Sequence, residues 1–222
     1  MVIEKIAVKT LRQEVYDQLR DKIISADILP GETISLRELA QKFGVSLMPV
    51  REALWQLESE RIIVIESNKR IQVNTLTAKE MEEALRLRLM LESTAAERAC
   101  DLRPESALPK LRKQLEALQG AADRPKIFMR RNSQFHISLY SLADSPLLLE
   151  MIERLMARVG PYVYTYAIAP RNNTRVLGRH ERMFQGIAAR DKGIVAEALR
   201  EDLEAAARII LPALKQEEQN KS

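Results

Sequence analysis

Arg51 is the residue of this chain best placed to read a nucleic acid. Val50, Ala53, Leu54 and Leu57 fall on one stripe of a helix and claim its buried side, which leaves Arg51 on the outer face. A guanidinium there can fork onto the O6 and N7 acceptors of a guanine, the commonest specific contact in a major groove. Ser46, at the N-terminus of the same helix, can donate to a phosphate beside the free backbone N–H groups of the first turn. A second chemistry rests on the two histidines of the chain, His136 and His180. Asn132 lies four residues before His136, so the two project from one face of one helix. Taken alone, such histidines are expected as polar core residues hydrogen-bonded inside a helical domain. No H-E-x-x-H run accompanies them, so the general base of a helical metal hydrolase is missing. The single cysteine, Cys100, excludes an intramolecular disulfide and agrees with a reducing compartment; it reads as a small apolar core residue near a helix end.

The elements that must hold Arg51 are legible. Ser35 and Glu38 form an S-x-x-E capping pattern, and Leu36, Leu39, Ala40 and Phe43 follow at helical spacing. Gly44 stops that helix, Ser46 caps the next, and Pro49 sits in its first turn, where a missing N–H costs little. After Arg61, Ile62-Ile63-Val64-Ile65 and Ile71-Gln72-Val73 flank the polar turn Glu66-Ser67-Asn68-Lys69-Arg70, which predicts a hairpin. Two helices joined by a tight glycine turn and followed by a hairpin make a winged helix-turn-helix.

Here the sequence resembles the DNA-binding domain of the GntR family of bacterial transcription regulators. The resemblance is carried by Arg37-Glu38-Leu39-Ala40, Gly44-Val45-Ser46 and Pro49-Val50-Arg51-Glu52-Ala53-Leu54, with Val15, Leu19, Ile23 and Leu29-Pro30-Gly31 upstream. It implies that Arg37 also reaches DNA, and that Asn68, Lys69 and Arg70 at the wing tip touch the minor groove or its phosphates. The family usually has arginine directly after the Ser46 position, where this chain has Leu47 and then Met48. Leucine cannot read a guanine edge, though either residue can contact a thymine methyl. Either the operator differs from the family's usual one, or affinity has moved onto Arg51 and the wing; the expectation is a changed operator. Asn68 stands where the family wing commonly has glycine, and asparagine tolerates the positive φ of such a turn.

Beyond the wing the pattern is helical. Thr77 and Glu80 form a second capping box, and segments 80–101, 104–120, 125–143, 146–166, 173–190 and 193–216 carry apolar residues three and four apart. Pro104, Pro125 and Pro146 fit first-turn positions, Gly160-Pro161 predicts a kink or break, and the polar tail from Lys215 is expected to fray. The short gaps predict an antiparallel bundle. The fold class is therefore mainly α: a winged helix-turn-helix with a small β-wing over 1–76, and an all-α bundle over 77–222.

This second part resembles the FCD ligand-binding domain of the FadR-like branch of the GntR family, through Arg88-x-x-Leu91-Glu92, Asn132-x-x-Phe135-His136, His180, Asp191 and Asp202. The family's metal ligands are typically Asp, His, His and His; the matching residues here are Asn132, His136, His180 and Asp202. One carboxylate, two imidazoles and one weak amide oxygen suit a borderline divalent ion such as zinc, nickel or manganese. The resemblance implies that such an ion holds the carboxylate of an organic-acid effector, with Arg88 pairing to the same carboxylate in a bidentate fork. No further cofactor is expected. Tyr140, Tyr162, Tyr164 and Tyr166 either line the pocket or pack, and packing is the expectation; Arg130, Arg131, Arg175 and Arg179 read as solvated helix faces.

Bulk numbers constrain the partners. With 46% hydrophobic and 30% charged residues the chain can bury a real core, and no apolar run reaches the roughly 18 residues of a membrane span. That predicts a cytoplasmic protein with no membrane partner and no signal segment. The net charge is +4, yet residues 1–76 hold eleven basic and eleven acidic side chains, so DNA binding rests on local placement of Arg and Lys. The reading is a ligand-responsive regulator of a metabolic operon, not an enzyme, acting as a homodimer on palindromic double-stranded operator DNA. The resemblance implies repression relieved by effector. Rival readings are a regulator for which the metal ion itself is the signal, a helical metal-dependent enzyme, and a purely architectural DNA-binding dimer.

Overall fold

Ser35 opens the first helix of the reading motif as its sequence predicts, with its Oγ accepting the Glu38 N–H at 3.3 Å. The computed structural model describes residues 9–66, 70–168 and 174–221, so Asn68 and Lys69 lie outside the described residues. The chain divides into two units, one built from Asp27–Thr75 with the chain up to Ile23, the other from Leu76 onward with Ile24–Ala26.

The first unit contains α1 (Leu11–Ile24), β1 (Thr33–Ile34), α2 (Leu36–Phe43), α3 (Leu47–Ser59), β2 (Ile63–Ile65) and β3 (Ile71–Val73). Gly44 ends α2 at φ +65, a left-handed conformation that costs any residue with a Cβ, and its N–H closes onto the Ala40 and Gln41 carbonyls. Val50, Ala53, Leu54 and Leu57 are buried on α3, as the stripe requires. Tyr16 of α1 donates to the Glu60 carboxylate just past α3, with both oxygens within 2.9 Å, which ties the two helices together. β2 and β3 pair antiparallel with Ile63 opposite Val73 and Ile65 opposite Ile71. The sequence reading missed β1, which lies on the other edge of β3 with Thr33 opposite Gln72 and Ile34 opposite Ile71. A two-residue strand has no periodicity to show; it is a strand only because β3 supplies its partner.

The second unit is α-helical: α4 (Ala78–Leu102), α5 (Leu108–Gln119), α6 (Pro125–Ser141), α7 (Pro146–Tyr162), α8 (Thr174–Ala189) and α9 (Lys192–Lys221). Both halves of the Thr77–Glu80 capping box form. α4 packs against α6, α7, α8 and α9. Near its start, Met81, Ala84 and Leu85 meet Val159 and Tyr162 of α7 and Ile210 and Leu214 of α9. α8 and α9 approach so closely that a Cβ on Gly186 would lie 2.7 Å from the Val195 backbone nitrogen.

Three local expectations are corrected. Pro104 precedes a short 3₁₀ turn, Glu105–Ala107, and Pro109 takes the first-turn position of α5. Gly160-Pro161 does not end α7; the helix runs through it and then widens into a π-helix, Val163–Ile168. Proline lacks the N–H that an α-helical ladder needs at this point, and the wider turn begins two residues after it. The polar tail is helical up to Lys221, because its carboxylates are used: Tyr166 donates to Glu217, and Glu218 accepts the Ala78 N–H at 2.7 Å. Among the described residues no helix is long and apolar enough to cross a membrane.

Candidate functional site

The first two turns of α3 carry an exposed face of mixed chemistry. Ser46 is the N-cap but its hydroxyl makes no capping bond, so its Oγ is not committed to its own helix. Arg51 and Arg37 are exposed, on α3 and α2 respectively. Leu47 is 41% exposed, Met48 56% and Trp55 55%. Large apolar side chains held in water on one helix face mark a surface made for a partner. Trp55 was not singled out by the sequence, although its place four residues after Arg51, off the buried stripe, puts it on the same face. Arg70 is exposed at the start of β3 and donates from Nε to the Thr33 hydroxyl at 3.0 Å, so the missed strand braces one wing arginine.

In the second unit His136 on α6, His180 on α8 and Asp202 on α9 converge. Their donor atoms all lie within 4.8 Å of one another. His136 Nε2 is 3.0 Å from His180 Nε2 and 3.7 Å from Asp202 Oδ2. The two imidazoles are buried, with the Phe135 ring packed against both. Arg179 donates to Asp202 Oδ1 at 2.9 Å, which corrects its reading as a solvated residue. Burial raises the Asp202 carboxyl, but His180, His136 and Arg179 together hold it below its ordinary value.

A chain of hydrogen bonds fixes the histidines from behind. Arg88 and Glu92, one turn apart on α4 and both buried, form an ion pair at 2.6 Å. Burial opposes the Arg88 charge, and Glu92 more than restores it. Tyr140 donates to the other Glu92 oxygen at 2.5 Å, and burial together with Glu92 raises the phenol well above its usual range. Its oxygen lies 2.9 Å from His136 Nδ1. Having given its only proton to Glu92, Tyr140 must accept from His136 Nδ1–H, which leaves a lone pair on His136 Nε2. His180 Nδ1 donates to the Val176 carbonyl at 2.7 Å, so Nε2 is the His180 nitrogen turned inward. Burial, then neighbouring His180, pushes the His136 pKa down to about 3, so it stays neutral.

Two imidazole nitrogens facing each other at 3.0 Å, beside a carboxylate oxygen, need a cation between them, a proton or a metal ion. Ligands about 2.1 Å from one ion sit about 3.0 Å apart at octahedral and about 3.4 Å apart at tetrahedral angles, close to the spacings found here. The donor set therefore fits a divalent ion, with Asn132 lining the same cavity.

That cavity has two parts. An inner part of about 30 Å³ is lined by Arg88, Asn132, Ser133, His136 and Asp202, among others. An adjoining part of about 440 Å³ shares Asn132, Asp202, Val163 and Ala206 and adds Arg179 and aliphatic walls. The structure thus brings Arg88 to the same cavity as three of the suspected ligands, Asn132, His136 and Asp202, with His180 Nε2 3.0 Å from His136 Nε2. Glu92, Tyr140, Ser133 and Arg179 were missed as site residues; Glu92 within the Arg88 motif was the one available signal. Tyr162 and Tyr166 lie in the core described above, consistent with packing.

Residues 11–73 match the family described as bacterial regulatory proteins, gntR family, and residues 83–205 match the FCD domain. YdhC of Bacillus subtilis (strain 168), an uncharacterized HTH-type transcriptional regulator, is 30% identical over 184 residues, covering 81% of each chain. The HTH-type transcriptional repressor RspR of Escherichia coli (strain K12) is 28% identical over 196 residues, covering 87% of this chain and 86% of that protein. The solved structure of E. coli McbR/YncC superposes with a TM-score of 0.84 at 26% identity, over 95% of this chain and 99% of that one.

Proposed function

Because this chain belongs to the gntR family of bacterial regulatory proteins, we propose that it regulates transcription as a ligand-responsive homodimer on a palindromic operator. We read 1–76 as the DNA-binding domain and 77–222 as the effector-binding and dimerisation domain. Arg51, Leu47 and Met48 face base edges; Ser46, Arg37, Asn68, Lys69 and Arg70 hold the backbone or the minor groove. Work on operator DNA implies a cytoplasmic protein.

In the second domain His136, His180 and Asp202, with Asn132 as a weak fourth donor, hold a zinc, nickel or manganese ion, and Arg88 pairs with the carboxylate of a small organic acid. A bound ion supplies the Lewis acidity that draws in a carboxylate oxygen. Glu92 and Tyr140 fix the His136 ring so that Nε2 is its ligand atom, and Arg179 orients Asp202. The effector acts by binding one conformational state of the dimer better than the other. We read the direction as repression relieved by effector, in keeping with relatives named as repressors, RspR and the gluconate operon transcriptional repressor of B. subtilis among them.

The carrying observation is the convergence of His136 Nε2, His180 Nε2 and Asp202 beside a ligand-sized cavity. The test is thermal unfolding with zinc, nickel or manganese, each with and without acetate, for the parent, His136→Ala and His180→Ala. The parent should be stabilised by metal, and further by acetate; both variants should lose the metal response yet still retard an operator fragment. Variants that respond to metal like the parent would sink the site assignment.

One observation favours a second reading. The converging donors hold an ion without any organic ligand, so metal occupancy by itself is a second candidate for the signal. Chelation separates the two: a metal sensor changes operator affinity on metal removal with no organic ligand present.

A further inference from the structure

The two parts of the effector cavity differ in chemistry in a way that selects a ligand. In the inner part, Ser133 is 8% exposed and its Oγ has no hydrogen-bond partner. A serine inside a helix ordinarily folds back onto a carbonyl of the preceding turn; this one does not. Arg88 lines the same space, and its one hydrogen bond to the described residues runs from Nε to Glu92, so both terminal amino groups are uncommitted among them. A buried hydroxyl and a half-used guanidinium together ask for an anion. About 30 Å³ admits one small polar group and no more.

The outer part is the opposite. Among the described residues its walls are Val163, Ala167 and Ile168 of the π-helix, Val176 of α8, and Ala205, Ala206 and Ile209 of α9. Among the described residues its polar lining is Asn132 and Asp202, shared with the inner part, and Arg179. A polyhydroxylated acid would lay its hydroxyls against these walls without partners. A saturated chain would gain by burial.

We propose that the effector is an aliphatic monocarboxylate: its carboxylate takes Arg88 and Ser133 in the inner cavity, and its hydrocarbon tail fills the outer one. This rests on the carboxylate-effector reading and specifies the rest of the molecule. The 440 Å³ chamber lies within the range of small-ligand pockets, so the tail is several carbons long.

The test uses the full-length, zinc-loaded protein and calorimetric titration with straight-chain carboxylates from acetate to octanoate, with gluconate and with 1-octanol. Affinity should rise about fourfold per added methylene until the chamber is full. Gluconate should bind at least tenfold more weakly than hexanoate, and octanol more weakly than octanoate. Ser133→Ala should weaken every acid by a similar factor, about tenfold. Ile209→Asp should abolish the length dependence while leaving acetate binding in place. A flat length series, gluconate matching hexanoate, or octanol matching octanoate would each overturn the proposal while leaving the carboxylate site standing. Failure of every acid, gluconate included, to bind would instead remove the underlying reading and this inference with it.

Discussion

On α3 the side chains offered to DNA stand in water, with Ser46 leaving its cap unmade and Leu47, Met48 and Trp55 exposed. In the second unit a run of buried polar groups beside the cavity is joined, from Arg88 through Glu92, Tyr140 and His136 to His180, with Ser133 left over. The first region can lose a side chain without harm to the fold, because nothing inside the protein depends on it. The second loses stability with each such change, because each group there is buried and holds its neighbour's charge or proton. Reading a sequence and sensing a small molecule thus place opposite demands on the same chain: a loose face for one, a rigid pocket for the other.

Substitutions can break that contrast. The largest effect is expected from Glu92→Ala, which strands the buried Arg88 charge and should lower folding stability by about 3–5 kcal/mol in urea denaturation. Replacing Arg88 by methionine as well should recover much of the loss, which a simple cavity would not predict. Acid should come next. His136 has a folded-state pKa of about 3, below its value in the unfolded chain near 6.5. The unfolded state therefore binds the proton first, and stability present above about pH 6.5 is lost as pH falls toward 3, on the order of a few kcal/mol. Metal-free protein followed by urea denaturation across that window should show the loss, and His136→Phe should flatten it. Arg51→Ala should leave stability within about 0.5 kcal/mol while weakening operator binding by about tenfold to a hundredfold in fluorescence anisotropy. An Arg51→Ala variant that unfolds easily would erase the distinction between the two regions. The smallest effect sharpens it: Glu218→Ala removes an acceptor from the α4 N-terminus and should cost about 1 kcal/mol, with operator affinity unchanged.

The reading motif was legible in the sequence because its determinants are local. A cap at Ser35, a left-handed Gly44 and an apolar stripe on α3 each act within a few residues. β1 was not, since its two residues become a strand only against β3. Pro104 and Pro109 both precede helical pattern, and sequence spacing cannot choose between a 3₁₀ turn and the first turn of α5. The polar tail reads as a fraying end because its partners, Tyr166 and the Ala78 N–H, come from elements distant in the chain. The same division runs through the cavity. His136, His180 and Asp202 could be gathered only by resemblance, since α6, α8 and α9 carry one each. Arg179 looked like any solvated arginine until Asp202 was found beside it. Ser133 gave no signal at all, for an unpartnered hydroxyl is a property of its surroundings.

Trp55 is the sole tryptophan of the chain and stands on the outer side of α3 beside Arg51. The protein therefore carries one indole fluorophore, located where duplex would come to rest. Excited near 295 nm, its emission reports on that helix alone, and an operator that covers it should dim or shift the spectrum without any dye attached. Titrating the effector into the preformed complex and watching the light return would time the release directly.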